Sequence, residues 1–262
     1  MEKNEIKELS LNSWDGFEGH SVKFLEPLTF LEGIVLLVRN IEDLKVILKL
    51  DQLKAIYNSG NDTIGIDYSV LKNLVRLSVN WHEGIKSILD CRGLEVLRLS
   101  GYKGKTFESF SNLVNLRSLD ITARSIETMS GISMLTSLSK LSMSYMTKLA
   151  SLDDIDSLRG LRWLHIQSSS KISDIRPLSE LVDLEVLAFD GCGDVQSLAP
   201  IANLKNLRYV SFFGTTKIVD GDLTPLLGLP LLRDVMFEDR RNYSHRREVF
   251  PRSSAIWSLD EC

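Results

Sequence analysis

The sequence has few of the features that mark secreted or membrane proteins. It contains three cysteines in 262 residues, and this odd, widely spaced set argues against a disulfide framework and favours a reducing cytosol. No window approaches the roughly 18 consecutive apolar residues of a membrane-spanning helix. The first ten residues are charged and lack an apolar stretch, which predicts no secretory signal. We therefore expect a cytoplasmic protein with no membrane contact.

No charge sign dominates the chain either. The 31 lysines and arginines face 35 aspartates and glutamates, for a net charge of −4. Nucleic-acid-binding domains usually carry a basic excess, so we expect no nucleic-acid partner. Hydrophobic residues make up 44% of the chain, which is enough to form a continuous core.

Recognisable catalytic and metal-binding motifs are missing as well. The histidines are too far apart in sequence for a metal-ligand pattern; they are His20, His82, His165 and His245. Asp153, Asp154 and Asp156 lack the glycine and the closing glutamate of a calcium loop, so a solvated turn is the favoured interpretation. Cys192 has no evident base, which favours a structural role over a catalytic one. We predict a non-enzyme with no cofactor and no metal.

What the chain does contain is a repeated apolar figure, L-x-x-L-x-L. It begins clearly with Leu94, Leu97 and Leu99. Its middle residue recurs after 22, 22, 23, 23, 23 and 25 residues, at Leu119, Leu141, Leu164, Leu187, Val210 and Val235. Leu74, Leu77 and Val79 form an earlier unit, and Ile34 with Leu37, Leu53 with Ile56, and residues 6–11 suggest more. Such self-similarity indicates stacked units, about ten or eleven in all.

Each unit shows two local patterns. The alternation in L-x-L is typical of a half-buried β-strand. Between the strands lie Pro177-Leu178, Pro200-Ile201 and Pro225-Leu226. Proline is tolerated in the first turn of a helix, so each pair is expected to open a short helix or 3₁₀ turn.

These motifs resemble those of leucine-rich-repeat proteins with 22- to 23-residue units, as in bacterial and phosphatase-regulator-like members. The resemblance implies an α/β solenoid, with a curved parallel sheet on its concave face and short helices or 3₁₀ turns on its convex face. We expect irregular repeats over 1–70, regular repeats over 71–238 and a cap over 239–262. The family places Asn, Cys or Thr three residues past each strand. Here that position holds Ser169, Cys192 and Thr215, but elsewhere His82, Tyr102, Arg124 and Met146.

The last segment departs from the repeat. We expect it to pack Tyr243, Phe250 and Trp257 over the final repeat; a partner-binding arm is the alternative. Its five arginines could serve either role.

The repeat also specifies a surface, because the residues between the leucines point away from the core. Stacking places these residues in three columns. The first column is Arg76, Val96, Ser118, Lys140, Trp163, Val186, Tyr209 and Asp234. The second is Ser78, Arg98, Asp120, Ser142, His165, Ala188, Ser211 and Met236. The third is Asn80, Ser100, Thr122, Ser144, Gln167, Asp190, Phe213 and Glu238.

The later members of these columns are unusually large and apolar for solvent-facing positions. Aromatic residues dominate binding hot spots, and nearby carboxylates could select a basic partner. We therefore predict a partner-binding patch consisting of Trp163, His165, Gln167, Val186, Asp190, Tyr209, Phe213, Asp234, Met236 and Glu238. The alternatives are that the aromatic side chains shield one another or lie under the cap, and that they line a small-molecule pocket.

A binding surface without catalytic motifs indicates a module that grips another folded protein. The resemblance to small bacterial repeat proteins implies a cytosolic immunity protein that binds and inhibits a cognate toxin. The alternative is a regulatory or scaffolding subunit of an endogenous enzyme. An enzyme would need a separate catalytic domain, for which the repeats leave no room.

Overall fold

The computed structural model describes residues 7–60 and 64–253, and Trp257 lies outside them. The described chain forms a solenoid whose main sheet has eleven parallel strands in chain order. The strands of this sheet are β1 (Glu8–Asn12), β2 (Gly33–Leu37), β3 (Ala55–Asn58), β4 (Arg76–Asn80), β5 (Val96–Tyr102), β6 (Ser118–Ala123), β7 (Lys140–Ser144), β8 (Trp163–Gln167), β9 (Val186–Asp190), β11 (Tyr209–Ser211) and β13 (Asp234–Met236). The short strands β10 (Asp194–Val195) and β12 (Lys217–Ile218) pair separately.

Short helical turns connect the strands on the opposite side. The 3₁₀ turns are Lys23–Leu25, Leu44–Lys49, Tyr68–Val70, Glu83–Asp90, Glu108–Phe110, Ile132–Met134, Ile155–Ser157, Arg176–Glu180, Ala199–Ile201 and Arg247–Val249. The α-helix is Thr224–Leu227. Pro177, Pro200 and Pro225 each lie in the first turn of their element. The role predicted for these prolines is confirmed.

The register of the sheet follows the repeat. Leu97 pairs with Leu77 on one side and with Leu119 on the other, and the row continues in both directions. Its amino-terminal members are Leu9, Ile34 and Ile56. The repeat motif therefore continues to β1. The sequence-based assignment of Leu37 to the inward row is wrong. That residue pairs with Asn12 on the outward side and is partly exposed, whereas Leu36 is buried.

The core fills the space between the sheet and the helical turns. Leu97, Leu119 and Leu164 are completely buried in it, as are leucines of the turns such as Leu178. Each strand packs chiefly against the next repeat. The apolar face of one repeat is therefore covered only when its neighbours are in place.

Hydroxyl side chains form hydrogen bonds with backbone groups of the loops that follow the later strands. Ser169 accepts a hydrogen bond from the amide of Met146 at 3.1 Å and donates to the carbonyl of Gln167 at 2.9 Å. Thr216 links Cys192 to Phe189 in the same way, with both distances 2.8 Å. The sequence-based choice of Thr215 is wrong by one residue, since Thr215 is exposed and Thr216 is buried. The loop after β11 reaches the equivalent position one residue later than the loop after β9.

Aromatic rings close the carboxy-terminal end of the core. Phe237 stacks on Phe212 with ring centroids 4.9 Å apart. Tyr243 and Phe250 meet Phe237 edge-on, each at 5.8 Å. The Tyr243 hydroxyl also accepts a hydrogen bond from the amide of Ile218 at 3.1 Å. These two rings cover the apolar surface of Phe237 at the end of the sheet.

Replacing Leu164 or Leu187 with alanine should lower the free energy of unfolding by about 2–5 kcal/mol, because each change leaves a cavity in a fully buried row. Denaturant titration followed by circular dichroism measures this loss. Val182→Ala is the matched control, since Val182 is exposed and should change stability by less than about 0.5 kcal/mol. Equal effects at the three positions would contradict the assigned packing.

Candidate functional site

The outward columns form one continuous surface, the concave face of the sheet. Trp163 pairs with Lys140 and Val186 in the first column, and His165 pairs with Ser142 and Ala188 in the second. Gln167 pairs with Ser144 and Asp190 in the third. The predicted columns are therefore neighbours in space wherever the strands pair. The parallel register brings together residues about 23 positions apart in the chain.

The carboxy-terminal end of the concave face exposes large apolar side chains. Phe213 is 47% exposed and Met236 is 45% exposed, while Tyr209 is half-buried. Ser211 pairs with Met236, and Phe213 follows Ser211 by two residues. We call Tyr209, Phe213 and Met236 the carboxy-terminal patch. Gln167 and Glu238 are exposed as well.

Three residues of the predicted partner-binding patch are buried rather than exposed. Trp163 is only 7% exposed, and Val186 and Asp234 are also buried. The ammonium group of Lys140 lies 4.9 Å from the Trp163 ring centroid, in a cation–π contact. Asp234 accepts a hydrogen bond from Arg247 at 2.6 Å, so the last segment folds back over the end of the first column. Neighbouring strands and this segment cover positions that alternation alone assigns to solvent.

Asp190 and His165 occupy the middle of the predicted patch. Asp190 accepts hydrogen bonds from the Ser211 hydroxyl at 2.6 Å and from the Phe213 amide at 2.7 Å. The His165 imidazole lies 4.0 Å from the Asp190 carboxylate. Burial lowers the pKa of His165 below its usual value although Asp190 and Asp120 favour the charged form. Asp190 thus fixes the backbone that presents Phe213.

The amino-terminal half of the concave face holds a hollow of about 500 Å³ that the sequence analysis did not identify. It extends from β1 to β7. Gly33, Val35, Ala55, Tyr57, Arg76, Val96, Arg98, Asp120 and Lys140 are among its lining residues. The signal in the sequence is the pair of small residues at column positions in β2 and β3, but it becomes visible only once those strands are in register.

Reactive groups are few in the part of the chain that the structure describes. No three His, Cys, Asp or Glu side chains within it converge to hold a metal ion. Cys91 and Cys192 are free and buried. Burial raises the pKa of each thiol to about 12, which suppresses the thiolate needed for nucleophilic attack. Neither cysteine is suited to catalysis at neutral pH.

Across residues 7–60 and 64–253, no helix is both long enough and apolar enough to cross a lipid bilayer.

Searches against protein-family models and curated proteins find no match. Solved structures do resemble the chain. Internalin C2 of Listeria monocytogenes superposes with a TM-score of 0.51 and 22% identity, over 78% of this chain and 77% of its own. A leucine-rich-repeat protein of Leptospira interrogans gives a TM-score of 0.54 and 17% identity, over 82% and 68%. The fold is that of a leucine-rich-repeat solenoid.

A TDR receptor is similar over 87% of this chain, with a TM-score of 0.63 and 16% identity. This chain covers 45% of that protein. Identities this low establish a common fold and carry no statement about function.

Replacing Trp163 with alanine should destabilise the protein by about 2 kcal/mol or more, because the indole is buried between neighbouring strands. Thermal unfolding measures the change. Gln167→Ala, at an exposed position on the same strand, is the control and should leave the melting temperature nearly unchanged. An unaltered melting temperature for the Trp163 variant would contradict its assigned packing role.

The two buried thiols should react with a thiol reagent such as DTNB only as fast as the protein unfolds. Replacing Cys262 with serine in this assay leaves Cys91 and Cys192 as the only thiols. Their burial removes both access and thiolate character. Rapid labelling of the folded protein would contradict this assignment, and labelling in denaturant provides the full signal.

Proposed function

We propose that the protein is a non-enzymatic binding module whose concave face holds another folded protein. The observation that carries the proposal is the exposure of Phe213 and Met236 at the carboxy-terminal end of that face. A large apolar side chain that is nearly half exposed loses unfavourable contact with water when a partner covers it. Aromatic residues and methionine are also enriched in protein interfaces.

The face is large enough for such a partner. Eleven strands at about 4.8 Å spacing span roughly 48 Å, and three outward residues on most strands give it width. A stable interface needs about 800 Å² from each partner. A concave sheet of this length can supply that area without any change in the backbone.

The predicted site residues take four different roles in this proposal. Tyr209, Phe213 and Met236 contact the partner directly, and Gln167 and Glu238 lie at the polar rim. His165 and Asp190 position the loop that carries Phe213. Trp163, Val186 and Asp234 are buried on the same face and pack beside the contact residues.

The narrower form of the proposal is that the partner is a toxin domain and that the protein acts in the cytoplasm as its inhibitor. Its support is the net charge of −4, which suits a basic partner, together with the resemblance to small bacterial repeat proteins. The alternative is a regulatory or scaffolding subunit of an endogenous enzyme. A toxin gene immediately upstream would favour the first, and rescue of cells expressing that toxin would test it directly.

The general proposal is tested by affinity capture from native lysate, followed by titration of the purified partner. Phe213→Ala and Met236→Ala should each weaken binding by about 2 kcal/mol, or roughly thirtyfold, because each removes an apolar contact at the centre of the patch. Isothermal titration calorimetry measures the affinity, and circular dichroism shows that each variant is folded.

Val182→Ala and Leu227→Ala are the matched controls. Their side chains are 52% and 49% exposed but lie in the helical turns and connections, away from the concave face. Both controls should bind the partner like the wild type. A captured protein that binds the patch variants and the controls equally well would exclude the carboxy-terminal patch as the contact surface.

A further inference from the structure

The hollow in the amino-terminal half exists because two adjacent strands lack large side chains in the first column. Gly33 on β2 pairs with Ala55 on β3, and Ala55 pairs with Arg76 on β4. Glu8 on β1 leans over Gly33, since a Cβ atom added at Gly33 would lie 2.9 Å from the Glu8 Cγ. Glycine thus lets the Glu8 side chain lie flat across the sheet. The space beyond it, over Ala55, stays open.

The walls of this hollow are largely apolar. Val35 and Tyr57 flank it in the second column, and Val96 lies beside Arg76 in the first. The volume of about 500 Å³ is within the roughly 300–1,000 Å³ of sites that bury a ligand of moderate size. One or two bulky side chains of a partner would fill the hollow and remove its apolar walls from water.

The charges around the hollow are unequal. Its cationic residues are Arg76, Arg98 and Lys140, and its carboxylates are Glu8 and Asp120. Asp120 is engaged by Arg98, with 3.0 Å between Nε and Oδ2. The Glu8 carboxylate lies over Gly33, which is two strands or about 10 Å from Arg76 along the column. The middle of the hollow is therefore positive.

Arg76 is the least engaged of these cations. Its side chain is exposed, and no carboxylate of the described residues lies within ion-pair distance of it. An unpaired guanidinium beside an apolar cavity is well placed to form a bidentate pair with a carboxylate. Arg98 could exchange part of its contact with Asp120 for the same purpose.

We propose that this hollow is a recognition site for an acidic loop of the partner protein, in which a carboxylate lies next to an aromatic or branched apolar side chain. The apolar side chain enters the space over Ala55, and the carboxylate meets Arg76 on the adjacent strand. The site deepens the proposed function and rests on it. At the other end of the concave face Glu238 is paired with Arg240 at 3.8 Å, so the exposed cation of the hollow gives the two ends different charge and favours one direction for a partner.

The test uses a random heptapeptide library displayed on phage and panned against the immobilised full chain. The sequences enriched should place Asp or Glu next to Phe, Tyr, Trp, Leu or Ile. Synthetic peptides from the enriched pool are then titrated by fluorescence polarisation at low and at high salt. Their affinity should fall as salt rises, because charge pairs at the rim are screened.

Two variants locate the peptides in the hollow. Ala55→Trp fills the cavity, and Arg76→Glu reverses its exposed charge; each should weaken binding by about tenfold or more. Lys86→Glu makes the same charge change at an exposed position in the helical turn Glu83–Asp90 and should bind within about twofold of the wild type. Circular dichroism shows whether each variant is folded. If Ala55→Trp does not fold, the Arg76→Glu variant alone tests whether the peptides bind in the hollow.

The proposal is wrong if no sequence is enriched, if the enriched sequences lack acidic residues, or if Arg76→Glu and Lys86→Glu bind them equally. These outcomes leave the general proposal intact, because that one is judged by the Phe213 and Met236 variants. Conversely, acidic peptides could bind in the hollow while the Phe213 and Met236 variants bind the partner like the wild type. That result would place the contact surface in the amino-terminal half of the concave face.

Discussion

The structure depends on the parallel register that stacks one repeat on the next. A single repeat contributes one short strand and one helical turn, which cannot enclose an apolar core. When Leu97 lies between Leu77 and Leu119, each row of leucines is covered by the rows beside it. Because side chains alternate along a strand, a slip of one residue would move every leucine to the concave face. The alignment of the leucine rows in this register therefore stabilises the fold, although the spacing between them varies from one repeat to the next.

Because each row of leucines is covered by the rows beside it, the last strand of the sheet needs another way to cover its apolar side chains. In the described part of the chain, Phe237 is covered by the rings of Tyr243 and Phe250 rather than by another leucine row. The ion pair of Arg247 with Asp234 holds the segment against the end of the sheet. One consequence reaches the concave face, since this pair occupies the last position of the first column. The segment that completes the core thus also shapes the proposed binding surface.

The register also places the residues that stabilise the core and the residues available for binding on opposite faces of the sheet. The inward rows are fixed by packing, whereas the outward columns carry side chains that the core does not need. At one end these columns hold the exposed Phe213 and Met236. At the other, the small residues Gly33 and Ala55 leave a hollow beside Arg76. The two ends differ in shape and charge, and a partner that fits both would be bound in a single orientation.

The sequence by itself determined the solenoid, its ten or eleven strands, the proline-led turns and the columns wherever the strands pair. It could do so because the spacing of the repeats and the alternation of apolar and polar residues are local properties that recur in every repeat. Only the tertiary structure decided that Trp163, Val186 and Asp234 are buried, that Thr216 takes the place expected for Thr215, and that a hollow opens over Ala55. The exposure of each outward residue depends on side chains about 23 positions away and on the segment that folds back at the end. Alternation reports which face a residue is on, but what covers that face is set by neighbours that meet only in the folded chain.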